Sequence, residues 1–177
     1  MRKAKTKARI QGNLGSMNNK SVFGIHHVTA ITSDPQKNID FYTNILGIRL
    51  VKLTVNQDDP TSYHLYYGDD LGRPGTILTF FHWPNILRGR RGTSQVIATS
   101  FLIPENSIHY WLDRFKSKHI AFQGPYEHFN DEQVITIHDP DGLELELVAH
   151  KSAEYRTINT WKEGPIPVEH AIRGCIL

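Results

Sequence analysis

Apolar positions along the chain switch between two periods, and the switches outline its elements. Residues 24–31, GIHHVTAI, form a short apolar run bounded by the Ser33-Asp34-Pro35 turn signal, which predicts a β-strand. Ile39, Tyr42, Ile45 and Leu46 then recur at helical spacing, with Asp34 as the cap, Pro35 in the first turn and Gly47 as the stop. Residues 48–55 alternate as a strand and turn through the polar cluster at 56–60. Strands at 63–67 and 76–83 follow, the first with His64 and Tyr66 on one face. The same order then begins again. A strand at 96–103 leads into Pro104-Glu105-Asn106-Ser107, which caps a helix striped by Ile108, Trp111, Leu112 and Phe115. Those aromatic residues read as core. Ile120 and Phe122 sit in the next short strand, with further strands at 133–137 and 143–148.

Thr29 and the helix after it match Ser100 and the helix after it, an internal repeat of about 70 residues, too long for the common solenoids. Two tandem βαβββ modules fit this spacing, at about 22–84 and 94–149. The expectation is an α+β fold, a curved mixed sheet with both helices on its outer face and a concave inner face. Alternation sorts the side chains between those faces. In DPDGLELELV, residues 139–148, it sends Leu143, Leu145 and Leu147 toward the helix and leaves Glu144 and Glu146 on the concave side. In the first strand, His27 shares a face with Ile25 and Thr29, and His26 shares the other with Val28 and Ala30. Only one of the pair is expected to face a given pocket. Buried, an imidazole there needs a hydrogen bond or a metal; carboxylates turned inward need solvent, a partner or a cation.

Composition narrows the setting. The chain has 177 residues, 39% of them hydrophobic, enough for one sizeable core or two small ones, and no apolar run approaches the roughly 18 residues of a membrane span. The lone Cys175 has no partner within the chain for a disulfide, and with no signal-peptide pattern this favours the cytoplasm. Five of the 20 basic residues, Arg2, Lys3, Lys5, Lys7 and Arg9, fall in the first 16, which hold no acid. That leaves 15 bases against 18 acids, with no basic stripe for nucleic acid. Residues 1–21 are set apart as a basic extension, Gly15-Ser16-Met17 marking an artificial junction or an alternative start. Arg88, Arg90 and Arg91 in the 84–93 loop could hold an anionic group, and a solvated loop is the stronger reading.

GIHHVTAI opening one module and DPDGLELELV closing the next resemble the vicinal oxygen chelate superfamily, which includes glyoxalase I, fosfomycin- and bleomycin-resistance proteins and extradiol dioxygenases. The stretch FYTNILGIRLVKLTVNQDDPTSYHLYYGDDLGRPGTILTFFHWP is similar to ring-cleaving dioxygenases of the hydroquinone type, and the resemblance covers about residues 22–174. It places His27 at the first-strand metal-ligand position, His26 beside it as a residue that orients or shuttles a proton, and Glu146 at the last-strand carboxylate position. His64 and Tyr66 would line the substrate face. Two histidines and one carboxylate are what Fe(II) needs to keep positions open for a chelating substrate and O₂. The implied cofactor is therefore Fe(II), with Mn(II) as a second choice, and the implied partners are a small catechol or hydroquinone and O₂. The roles so implied belong to aromatic catabolism or quinone detoxification.

The sequence also departs from the family pattern. The other two ligand positions fall on Leu78 and Ala98, which cannot bind metal, so the site is expected to be incomplete unless His64 or a second copy in a homodimer contributes. The chain resembles the N-terminal half of longer relatives, with 150–177 as a linker and the start of a third module. That linker is expected to pack little. Two alternatives remain beside the dioxygenase: a glyoxalase-like lyase or isomerase with four metal ligands, and a metal-free module with Tyr63, Tyr66, Phe80 and Trp83 lining an aromatic cleft.

Overall fold

Asp34 opens the first helix in the way its position suggests. Its carboxylate accepts hydrogen bonds from the backbone N–H of Gln36 and Lys37 at 3.0 and 3.2 Å, and those N–H groups hold its pKa below 3.8. In the computed structural model of the chain, residues 24–85, 89–90, 92–128, 131–156 and 159–176 are described. Helix α1 (Pro35–Ile39) passes directly into a π-helical stretch, Asp40–Ile45, before Gly47 turns the chain away with φ of +66°. Two consecutive rings in this stretch, Phe41 and Tyr42, are buried.

Strands β1 (His27–Thr32), β2 (Arg49–Val55), β3 (Tyr63–Gly68) and β4 (Ile77–His82) make a sheet in the order β1-β4-β3-β2, with β1 and β4 parallel. The second module repeats this as β5 (Ala98–Ile103), α2 (Ile108–Ser117), β6 (Phe122–Glu127), β7 (Gln133–His138) and β8 (Glu144–Ala149). Its sheet runs β6-β7-β8-β5-β9, the last strand being β9 (Cys175–Ile176). The expected α+β architecture of two βαβββ units is therefore present, as two mixed sheets of four and five strands rather than one.

Both helices lie on the face opposite His27. Tyr42 packs its ring 4.9 Å from that of Phe80 and 5.1 Å from that of Tyr67, while Trp111 and Phe115 join Phe101, Leu145 and Leu147. One apolar cluster runs through both modules. Polar contacts tie the same junction. Arg114 of α2 donates to the carbonyls of Ile45 and Asn44 at 2.8 and 2.6 Å, neutralising the C-terminal end of the first helix. Tyr42 donates its hydroxyl to Asp139 at 3.0 Å, and Thr32 donates its own to Asp141 at 2.7 Å.

The segment after 149 does not behave as a loose linker. Ala153, Ile166, Ala171 and Cys175 are all buried, Ile166 against Gly47. Trp111 donates its indole N–H to the carbonyl of His170 at 3.1 Å, and the His170 ring stacks on Tyr110 with centroids 4.3 Å apart. The segment is an extended strap that contributes single apolar side chains at irregular intervals. Periodicity cannot detect such packing. The basic extension at 1–21 lies outside the described residues.

Candidate functional site

Register builds the inner face of the first sheet. His27, Thr29 and Ile31 of β1 stand opposite Ile77, Thr79 and Phe81 of β4, which in turn bring Tyr66 and His64 of β3 beside them. On β2 the pairing slips between Leu50 and Lys52. Val51 is the extra residue of a β-bulge, so Lys52 rather than Val51 faces Tyr66, and Thr54 faces His64. Plain alternation from Leu50 would have turned Lys52 toward the helix. Its ammonium instead sits 5.6 Å from the centre of the Tyr66 ring, and among the described residues no carboxylate pairs with it.

His26 and His27 do not point apart as strand alternation suggests. His26 precedes the first residue of β1 and is free of that constraint; the two Nδ1 atoms approach to 3.0 Å with the rings edge-on at 86°. Both imidazoles are solvent-exposed. His64 lies deeper, its ring between those of Tyr66 and Phe81 at 4.1 and 4.0 Å, with Nδ1 2.9 Å from the Tyr66 hydroxyl. Burial first, then the charges of Lys52 and His27, hold its pKa below 6.5, which favours the neutral ring. Its Nε2 is buried without a partner, a state that costs about 1–3 kcal/mol. Beside it opens a cleft of ≈ 320 Å³ lined by Lys52, Thr54, Asp58, His64, Tyr66 and Phe81.

The inner face of the second sheet has the same frame and different chemistry. Ala98 and Ser100 of β5 oppose Glu144 and Glu146 of β8, and Glu146 accepts a hydrogen bond from Ser100 at 2.5 Å. His138 stands 3.6 Å from Glu144. As expected, Leu145 and Leu147 are fully buried toward the helix. Matching the two registers sets His27 against Ala98, Thr29 against Ser100 and Thr79 against Glu146. Leu78 is therefore not the counterpart of the glutamate. It is wholly buried on the helix side, and Thr79, one residue on, occupies the inner face and donates to Thr29 at 2.9 Å. A slip of one residue exchanges the faces of a strand.

The donors on these faces fall into two separate groups among the described residues. The imidazole pair belongs to the first sheet and Glu146 to the second, and among the described residues no three His, Cys, Asp or Glu side chains converge. Cys175 offers no substitute, because burial pushes its thiol up to about 11. Arg90 borders a second cleft of ≈ 420 Å³ with Ile31, Val96, His138 and Glu144, while Arg88 and Arg91 lie outside the described residues. Of the aromatic residues expected around a cleft, Tyr66 lines one, Phe80 belongs to the core, and Tyr63 and Trp83 are exposed. Lys52 and Thr79 carried no signal in the sequence pattern, since a bulge and a register are set by strand pairing. No helix among the described residues is long and apolar enough to cross a membrane.

Residues 24–147 match the family model described as "Glyoxalase/Bleomycin resistance protein/Dioxygenase superfamily". The chain is 45% identical over 158 residues to "Putative ring-cleaving dioxygenase MhqO" of Bacillus subtilis, covering 88% of this chain and 48% of that protein. It is 30% identical over 155 residues to "Chlorohydroquinone/hydroquinone 1,2-dioxygenase" of Sphingobium indicum, covering 86% of this chain and again 48% of the relative. Among solved structures, a dioxygenase of Bacillus subtilis, described as putative, superposes with a TM-score of 0.78 at 44% identity, over 86% of this chain and 47% of that one. The chain spans about half the length of the curated relatives it matches.

Proposed function

The chain belongs to the Glyoxalase/Bleomycin resistance protein/Dioxygenase superfamily, and from that premise we propose that it serves ring-cleaving oxygenation of a catechol- or hydroquinone-type aromatic. The observation that carries this reading is the inner face of the first sheet, where His64 and Tyr66 of β3 and Phe81 of β4 line the ≈ 320 Å³ cleft and His27 of β1 stands on the same side of the sheet. A ring of that size has planar partners there in Tyr66 and Phe81. In this reading His64, neutral and bonded through Nδ1 to the Tyr66 hydroxyl, takes up by way of that hydroxyl a proton released from a ring hydroxyl, and Phe81 keeps water from that side. His26 fixes the orientation of His27 through the Nδ1 contact.

The ion proposed is Fe(II), with Mn(II) as the second choice, and it would supply open positions for substrate and O₂. His27 is the ligand proposed from this sheet and Glu146 the one from the other. The remaining ligands would come from beyond the described residues or from a second copy. A titration with Mn(II), following the broadening of imidazole proton signals, tests the assignment alongside oxygen uptake with hydroquinone. Selective broadening at His27 and His26, and uptake abolished by His27→Ala, are expected. Uptake that survives this substitution, or broadening centred on other histidines, would count against it.

A further inference from the structure

We propose that Lys52 selects a negatively charged ring substituent in the first-sheet cleft, so that an aromatic bearing a carboxylate or an ionised hydroxyl binds in preference to its neutral counterpart. The inference rests on the reading that this cleft receives the ring. Three observations support it. The β-bulge at Val51 turns Lys52 onto the inner face, opposite Tyr66, where unbroken alternation would have hidden it. Its ammonium lies over the Tyr66 ring and is, among the described residues, the single Lys or Arg charge lining the cleft. Asp58, the acid in the same lining, is not within ion-pair distance of it, and among the described residues no carboxylate pairs with it, which leaves the charge for an occupant.

Geometry gives the charge a direction. A flat ring near His64, Tyr66 and Phe81 has a cation at one edge, on the β2 side, and an electrically neutral imidazole in its middle. An anionic substituent pointing toward β2 meets Lys52 and the hydroxyl of Thr54, its neighbour on the same inner face. A neutral amide or ester in that place gains only a hydrogen bond. In a half-open cleft the difference amounts to about tenfold in affinity, because solvent still screens the ammonium.

The test is binding rather than turnover. Calorimetric titration of the chain compares 4-hydroxybenzoate with 4-hydroxybenzamide, which share a ring and differ in charge. 4-Nitrophenol, measured on either side of its ionisation, separates an ionised hydroxyl from a carboxylate as the source of the charge. Shifts of the His64 ring protons report that the probe occupies this cleft. The wild type is expected to prefer the benzoate about tenfold, Lys52→Met to lose that preference with the benzamide unchanged, and Lys52→Arg to keep it. Equal weakening of both probes by Lys52→Met, or none for the benzoate, overturns the inference and leaves the ring-binding cleft standing. Failure of every probe to shift His64 overturns the cleft reading and this inference together.

Discussion

The two modules are nearly interchangeable on their outer faces and unlike on their inner ones. Phe80 and Leu78 under the first helix correspond to Leu147 and Leu145 under the second, and all four are fully buried in one shared cluster. Toward the inner side, the first sheet offers imidazoles, a phenol and an ammonium, whereas the second offers Glu144, Glu146 and Ser100 with a single imidazole, His138, beside Glu144. The same strand frame tolerates this because its stability is set on the other surface. Period-2 alternation uncouples the two. An inner-face residue can change its chemistry without disturbing the packing of its neighbours in sequence.

The strongest way to break this comparison is to damage one outer face and watch the other module. Trp111→Ala removes a fully buried indole from the second helix and is expected to cost about 3–5 kcal/mol. If the outer faces form one core, urea unfolding followed at probes in both modules will show a single shifted transition. Separate transitions would show two cores. Gly47→Ala tests the strap: it places a methyl group at a φ of +66° and into the side chain of Ile166. A loss on the order of 1–3 kcal/mol is expected, with faster amide exchange around Ala171. No loss would mean that the strap is not docked there.

A smaller effect sharpens the junction between the modules. Tyr42→Phe deletes the hydroxyl bonded to buried Asp139 and should cost about 1–2 kcal/mol by chemical denaturation. Burial is the main cause that raises the Asp139 pKa above 3.8. The folded state then holds that proton more tightly than the unfolded one. Its contribution is most favourable at low pH and is lost as pH rises from about 3.8 through the folded value. Asp139→Asn should flatten that segment of the stability profile, while a profile with unchanged slope would assign it to another group.

Much of this frame was legible in advance because it depends on local signals. The Asp34-Pro35 cap, the Gly47 stop and the leucine alternation in β8 each act within a few residues. The π-helical stretch was not legible, because Ile39, Tyr42 and Ile45 satisfy a regular helix equally well. Lys52 was missed for a different reason: a bulge exists only relative to the strand it pairs with. The strap was misjudged because Ile166 and Cys175 bury themselves singly, against partners more than 70 residues away such as Gly47 and Phe101. The candidate site was legible as residue types and not as an arrangement. Residue types pointed to His27, His64, Tyr66 and Glu146, and only pairing shows that the first three share a sheet and the fourth does not.

Strand β9 is two residues long, yet it decides how safe the second sheet is. With Phe101 paired to Cys175, Leu102 bonded through its N–H to Gly174 at 2.9 Å, and Cys175 bonded to Gly75 of the first module at 2.8 Å, it covers the outer edge of β5. The strand beneath, ATSFLI, is apolar at four of its six positions and carries no charge. Uncovered, it would be a template on which a second molecule could add its own strand. Ending the chain at 149 would therefore not trim a spacer; it would expose an aggregation-prone edge, and the first symptom would be insolubility.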